Sequence, residues 1–345
     1  MTSAPRARTS PASGPRSPDD PATRSGEKPL RIGVSSCLLG EEVRYDGQHK
    51  RDAFLADQLA RFVAFVPVCP EVELGLGVPR ETIRLERRGP DVRLVAPRSG
   101  RDLTEAMRAW AVRRVRAIAR EDLDGYVLKK DSPSCGMERV KVWNDAGHAP
   151  KEGRGAFAAV LVDALPLLPV EEEGRLRDDG IRENFVERVF AYRRLKDVFG
   201  ARWTVGRLVA FHSREKLLLL AHDPESYRAL GRTVAAAKQR PRGDIADEYG
   251  SRFMRALARP ASRGRETNVL QHVAGYFKDL ASADERAELV EAIADYRAGL
   301  VPLVVPLTLL KHHVRRHADA PGVSWLATQT WLSPHPKELM LRNHV

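Results

Sequence analysis

"LRIGVSSCLLG" (residues 30–40) decides the fold. A short apolar run from Leu30 ends in small residues that carry Cys37. An apolar run of that length closed by a turn reads as a β-strand. The same arrangement recurs twice. "AFVPVCPEVELGLGVPRE" (64–81) is a second strand that runs into Cys69, Pro70 and Glu71. "DGYVLKKDSPSCG" (124–136) is a third, Tyr126 to Leu128, ending in a polar loop with Cys135. Helical patterns lie between them. Phe54, Leu55, Leu59 and Phe62 have helical spacing, and 102–121 forms a long amphipathic helix with Leu103, Met107, Trp110, Val115 and Ile118 on one side. A further apolar strand is expected at about 156–162, within "GAFAAVLVDALPLLPV". Strands alternating with helices imply a mostly parallel sheet.

From about residue 200 the pattern turns helical. "VGRLVAFHSREKLLLLAHDPESYRALGRTVAAAKQ" (205–239) has helix periodicity broken at Asp223-Pro224. "TNVLQHVAGYFKDLASADERAELVEAIADYRAG" (267–299) reads as two helices, with Ser282 or Ala283 near the start of the second. "PLTLLKHHVRRH" (306–317) is a basic helix ending. The fold class is therefore α/β: a mostly parallel sheet N-terminal domain with a mainly α-helical C-terminal domain. The expected division is a disordered, Pro-, Ser- and Arg-rich tail at 1–29, a sheet domain at 30–165, a polar linker and closing helix at 166–199, and a helical domain at 200–345.

The 345 residues exceed one small core, and no run of about 18 apolar residues suggests a membrane span. Net charge is +11, and 200–345 holds 22 Lys and Arg against 15 Asp and Glu, or +7. A basic module beside a near-neutral one suggests a polyanionic partner, most simply nucleic acid. The clusters Arg252, Arg255, Arg259 and Lys311, Arg315, Arg316 are its first candidate contacts. The competing reading is that these cations solvate helix faces. Trp325, Trp331, Tyr276 and Phe277 are candidates for base stacking, with core packing the stronger expectation.

Three cysteines without an export signal argue against a disulfide framework and for reduced thiols in the cytoplasm. Each lies just beyond the C-terminal end of a strand, the edge where open α/β sheets bind ligands. Three thiolates suit a 4Fe–4S cluster with one iron left open; zinc held by the three cysteines and His49 is the alternative metal. Chemistry-bearing residues surround them. Glu71 follows Cys69 by two, and Ser132 and Ser134 flank Pro133 beside Cys135. Lys129 and Lys130 suit an anionic substrate or a buried carboxylate. Arg44, Asp46 and His49 line the first loop. A purely structural Glu71 would pair with Arg80 or Lys130.

"SSCLLGEEVRYDGQHK", "VCPEVELGLGVPRE" and "LKKDSPSCGM" together resemble the three motifs of the thiouracil desulfidase (TudS-type) family, over about 30–165. "FHSREKLLLLAHDPESYRALGR" and "QTWLSPHPKELMLRN" resemble the YbgA-type domain. The combination is similar to the RudS-type fusions that act on 4-thiouridine in tRNA. The resemblance implies that Cys37, Cys69 and Cys135 hold a 4Fe–4S cluster whose open iron takes the sulfur of a thiocarbonyl. It implies that Glu71 is the acid/base, assisted by Ser132 or Ser134, and that the chemistry is hydrolytic. It gives the basic half a purpose, because tRNA needs phosphate contacts and a free thiobase does not. Two other readings stand beside it: a desulfidase of free thiouracil whose helical half serves oligomerisation, and a non-enzymatic iron–sulfur RNA-binding regulator. The second needs no salt-dependent tRNA binding; the third needs neither Glu71 nor the serines.

Overall fold

The computed structural model describes residues 29–200 and 202–345; the tail expected at 1–29 lies outside the described residues apart from Pro29. β1 (Leu30–Ser35) and β2 (Val63–Val68) open the chain, separated by a loop and short helical turns at 53–61. A single turn, α1 (Pro70–Glu73), follows Cys69, with Pro70 in the first-turn position where its missing N–H costs nothing. Next come β3 (Arg84–Arg88), β4 (Asp91–Ala96), β5 (Arg101–Asp102) and α2 (Thr104–Arg120). β6 (Gly125–Leu128), β7 (Val140–Trp143), β8 (Lys151–Gly153), α3 (Ala156–Ala164) and β9 (Val170–Glu172) complete the sheet region.

The main sheet has strand order β2-β1-β6-β9, and its pairs are all parallel. β1 is central and buried on both faces, so apart from Arg31 near its start it reads as an apolar run. Gly33 is required there: a Cβ at that position would lie 2.2 Å from the buried Tyr126 ring. On one face, α2 and α3 pack Met107, Trp110, Ile118 and Phe157 against Tyr126 and Leu128. On the other, Ile32, Val34 and Val127 meet α4 (Asp179–Val198) through Phe185, Val186 and Val189.

Two expectations change. Residues 156–162 are helix, not strand. Gly155 leads into an alanine-rich run whose Phe157, Ala158 and Leu161 share one face, and a short apolar run does not by itself distinguish strand from helix. The strand falls later, at Val170–Glu172, and "EEE" (171–173), which read as a polar break, is buried. A second sheet, order β5-β4-β3-β7-β8, is also present; its pairs are antiparallel except β3 with β7. Its arginine-rich strands bury only short apolar groups, Leu85, then Leu94, Val95 and Ala96, then Val140 and Val142.

The helical half contains α5 (Val205–His222), α6 (Pro224–Ala235), α7 (Arg242–Leu257), α8 (Arg263–Ala274), α9 (Ala283–Ala298), α10 (Val304–Arg316) and the short α11 (Val323–Ala327). Asp223 caps α6, accepting from the amides of Glu225 and Ser226. Ser282 and Glu285 form a reciprocal capping box on α9. α4 belongs to both halves: beyond Val189 its Ala191, Leu195 and Val198 enter the helical core. The closing segment also crosses back, placing Leu339 and Leu341 in the same apolar cluster as Cys37 and Leu38. Among the described residues no helix is long and apolar enough to cross a membrane.

Candidate active site

The order β2-β1-β6 puts three neighbouring strand ends side by side. Beyond β1 the chain makes a tight helical turn over Ser36–Leu39, closed by Gly40 in the left-handed conformation at φ 99°. The Cys37 carbonyl accepts from Lys50 N at 2.9 Å, folding the 41–50 loop over it. Beyond β2, the Cys69 carbonyl accepts from Glu73 N at 2.9 Å as α1 starts. Beyond β6, Ser132 Oγ accepts from the amides of Ser134 (3.3 Å) and Cys135 (3.1 Å), which fixes the cysteine loop. Gly155 lets this loop close: a Cβ there would stand 2.6 Å from the Ser134 backbone.

Cys37, Cys69 and Cys135 line one cavity of about 310 Å³. Burial pushes the Cys135 thiol up to about 12, opposed by the Ser35 hydroxyl, and Cys37 up to about 11, opposed by Lys129. Burial raises Cys69 as well. Among the described residues no group of three His, Cys, Asp or Glu can hold a single metal ion. His49, the fourth ligand of the zinc alternative, is exposed, is not part of the cavity wall, and accepts from Arg51 N at 3.2 Å.

Glu71 is the focus of the polar wall. Arg80 grips its Oε2 through Nη2 (2.6 Å) and Nε (2.9 Å), and is itself anchored on the carbonyls of Val43 and Gly77. Oε1 accepts from Ser134 Oγ at 2.7 Å, and Ser134 Oγ lies 3.8 Å from Cys135 Sγ. Ser132 and Ser134 hydroxyls are 3.0 Å apart. This is an Arg–Glu–Ser chain that ends beside a thiol. The pairing with Arg80 expected of a structural Glu71 exists, and it leaves the other oxygen directed at the serine.

The remaining candidates separate. Arg44 and Lys130 line the cavity; Asp46 and His49 do not. Lys129 also lines it, but its ammonium binds the buried carboxylate of Glu173 at 2.5 Å. Lys50, Tyr45 and Thr82, which the sequence did not single out, complete the wall. In the helical half, Arg252, Arg255 and Arg259 lie on and just beyond α7, and Lys311, Arg315 and Arg316 on α10. Arg255 and Arg315 are exposed, Arg259 and Arg252 make long contacts with Asp223 and Glu225, and Arg316 pairs with Glu285. Lys311 is half-buried, and burial lowers its pKa. Trp331 and Phe277 are core residues, whereas Trp325 and Tyr276 stack on one another at 6.0 Å, both partly buried.

A parallel sheet whose strand ends present three thiols and a clamped carboxylate defines an α/β thiol-lined site. The 2-thiouracil desulfurase family model matches residues 32–173, and the model described as a protein of unknown function (DUF1722) matches 216–336. The uncharacterized protein YbgA of Escherichia coli (strain K12) is 37% identical over 157 residues, 45% of this chain and 90% of its own. The uncharacterized protein YbbK of Bacillus subtilis (strain 168) is 32% identical over 139 residues, 39% of this chain and 90% of its own. A solved structure titled 4Fe–4S-dependent thiouracil desulfidase TudS is 32% identical, covering 43% of this chain and 94% of that one, with a TM-score of 0.36. The chain thus belongs to the 2-thiouracil desulfurase family through its N-terminal part and carries a YbgA-like DUF1722 domain in its C-terminal part.

Proposed function

We propose that this chain is a 4Fe–4S-dependent, cytoplasmic desulfidase that replaces the sulfur of 4-thiouridine in tRNA by oxygen. The observation that carries this reading is the single cavity shared by three cysteines and the Arg80–Glu71–Ser134 chain. The donor set fits the cluster. Three soft donors on three separate loops around one cavity suit a multi-iron group. Burial disfavours the thiolates, so they need the positive charge that iron provides. When bound, the cluster supplies a Lewis-acidic iron without a protein ligand for the departing sulfur.

The protein's own groups do the rest. Glu71, oriented by Arg80, takes a proton from the water that attacks the ring carbon bearing sulfur. Ser134, bonded to Glu71 and adjacent to Cys135, carries a proton toward the leaving sulfur, and Ser132 positions the loop through the Ser134 and Cys135 amides. Water in and hydrogen sulfide out balance the reaction, with no external electron donor. Arg44 and Lys130 face the cavity where an anionic nucleotide would enter. Chemistry belongs to the sheet half, which β9 carries on to Glu172, and tRNA binding to 200–345, the two joined by α4; the +7 of the helical half supports this division.

The test supplies anaerobically reconstituted protein with thiolated tRNA and with free 4-thiouracil, and measures sulfide release alongside iron content. We expect higher kcat/KM on tRNA. Cys37→Ser, Cys69→Ser and Cys135→Ser should each lose iron and sulfide release together. Equal turnover of the free base removes tRNA as the substrate. A cysteine variant with full iron and turnover is not a ligand.

A further inference from the structure

A second polar cavity, of about 230 Å³, opens in the helical half, walled by α4, the end of α5, the starts of α8 and its preceding loop, α9 and the closing segment. Most of its charges answer one another. His222 Nε2 is 2.6 Å from Glu187 Oε1, and its Nδ1 is 2.6 Å from the Arg259 carbonyl, so both ring nitrogens face acceptors and the imidazolium is accommodated. Arg342 donates to Glu183 (3.0 Å), Glu187 (3.3 Å) and the Trp331 carbonyl (2.7 Å). His344 Nε2 is 2.9 Å from Glu183.

Two oxygens on the wall are left over, and one cation is held there without a carboxylate. Glu266 is 7% exposed; its Oε2 accepts from Trp331 Nε1 at 2.7 Å, while its Oε1 has no hydrogen-bond partner among the described residues. The Tyr296 hydroxyl likewise has none among them, although the residue is also 7% exposed. Arg263 donates through Nη1 to the Tyr296 carbonyl and lays its guanidinium over the Tyr296 ring, 5.3 Å from the centroid. Neither oxygen is among the fully enclosed atoms that lack a partner, so both are open to a molecule in the cavity.

These leftovers describe a ligand. It has an N–H for Glu266 Oε1 and an acceptor for the Tyr296 hydroxyl. It is flat, because a guanidinium plane and an aromatic ring form the wall. Its buried part need carry no charge: Arg342, His222 and His344 are answered by Glu183 and Glu187, Arg263 is engaged with the Tyr296 carbonyl and ring, and burial raises the Glu266 carboxyl to about 7. At the lip the balance changes. Pro260 and Ala261 line the cavity and follow directly on Arg259, whose side chain is 69% exposed, with exposed Arg255 one turn back on α7. Arg259 is held by a weak surface contact to Asp223 at 3.3 Å, which a phosphate can replace.

We propose that this pocket takes one unpaired nucleobase, its N–H edge on Glu266 and an acceptor atom at Tyr296, with its phosphate held at the lip by Arg259. The base comes either from a free nucleotide or from RNA. The inference does not need the desulfidase reading, since Glu266, Tyr296 and Arg259 lie outside the thiol-lined cavity.

The full-length protein is titrated calorimetrically with each of the four nucleoside 5′-monophosphates and with an unmodified tRNA transcript, none of which contains sulfur. Glu266→Gln keeps the shape and can still accept from Trp331; Tyr296→Phe removes one oxygen. We expect each variant to weaken binding about 5- to 100-fold, the range of a base-edge contact, and Arg259→Gln to weaken it severalfold. Loss seen with mononucleotides assigns a free nucleotide, and loss seen with the transcript alone assigns an RNA-borne base. Wild-type affinity for all five probes in Tyr296→Phe, or absence of binding by all five, overturns the proposal. Because no probe can be desulfurised, these outcomes are independent of whether sulfide release is observed.

Discussion

The two polar cavities of this molecule are built in opposite ways. The one at the sheet edge draws its groups from loops beyond β1, β2 and β6, and its charges form a short chain that stops at Ser134 and the thiols. The one in the helical half draws its groups mostly from helix faces, and nearly every charge is answered within the wall. Loops on a rigid sheet can direct a few side chains at one point, which is what chemistry needs. Helix faces hold side chains in fixed register and suit a buried ionic network, whose pairs become expensive when one partner is removed. The first cavity should therefore be sensitive in rate and the second in stability.

The largest effect that sharpens this contrast is on rate. Glu71→Gln preserves size and can still bond to Ser134, but cannot take a proton. We expect turnover to fall about 10²–10⁴-fold, with iron content, KM and unfolding midpoint close to wild type. Single-turnover sulfide release from iron-matched samples measures it. A midpoint that falls while turnover holds would make Glu71 the anchor of Arg80 and place both cavities in the structural class.

The site was more legible in the sequence than the fold around it, and the reason is physical. The three cysteines announced themselves because each follows a mostly apolar strand, and the parallel order then brings them together. The Arg–Glu–Ser chain was half visible: Glu71 and the serines lie near the cysteines in sequence, but only folding shows which oxygen Arg80 holds. The second sheet was hidden because its buried residues come in groups too short to read as strands, such as Leu85 alone among arginines and Val140 and Val142 about Lys141. The run at 156–162 satisfied both periodicities, and its neighbours α2 and Tyr126 decided for helix. The second cavity left no local signature, since Glu187, His222, Glu266 and Arg342 are scattered over four segments.

A middle-sized effect is expected on stability. Arg342 is buried between Glu183 and Glu187, and it closes a segment whose Leu339 and Leu341 pack with Leu38 and Cys37. Arg342→Ala leaves Glu183 with His344 alone and Glu187 with His222 alone, and should cost up to roughly 3–5 kcal/mol, read from the urea midpoint. The pH dependence follows from the His222–Glu187 pair. Burial opposes the Glu187 charge, but His222 and then Arg342 outweigh it and hold the carboxyl down at about 2. That contribution is present above its ordinary value of 4.5 and is lost as pH falls toward 2. Burial likewise opposes the His222 charge, and Glu187 outweighs it and raises the imidazole. That contribution is complete below 6.5 and is lost as pH rises through the folded value. The pair stabilises most between about pH 4.5 and 6.5, and His222→Gln should flatten the midpoint–pH curve on both sides. An unchanged curve would mean that the pair does not titrate with folding. The crossing of α4 and of Leu339 and Leu341 between the halves makes point variants, rather than truncation near residue 195, the clean way to separate them.

The smallest effect tests the charge difference between the halves. If the helical half carries tRNA, its exposed cations should set the salt dependence of binding and those of the sheet half should not. Arg255 on α7 and Arg315 on α10 are exposed and form no ion pair among the described residues; Arg255 donates only to the Ser251 carbonyl of its own helix, so neutralising them breaks no ion pair. Arg116 on α2 is an exposed cation of the sheet half and serves as the control. Each phosphate contact contributes close to one unit to the log–log slope of affinity against salt. Arg255→Gln and Arg315→Gln should each lower the slope by about one unit and weaken binding a fewfold at moderate salt, while Arg116→Gln leaves both unchanged. None of the three should alter iron content or turnover of free 4-thiouracil, because none lines the thiol cavity. Equal slope changes from both halves would show that tRNA responds to net charge alone. No change from any variant would leave Arg255 and Arg315 as solvating residues on helix faces, and would move the search for phosphate contacts to Arg44, Lys50 and Lys130 at the cavity mouth.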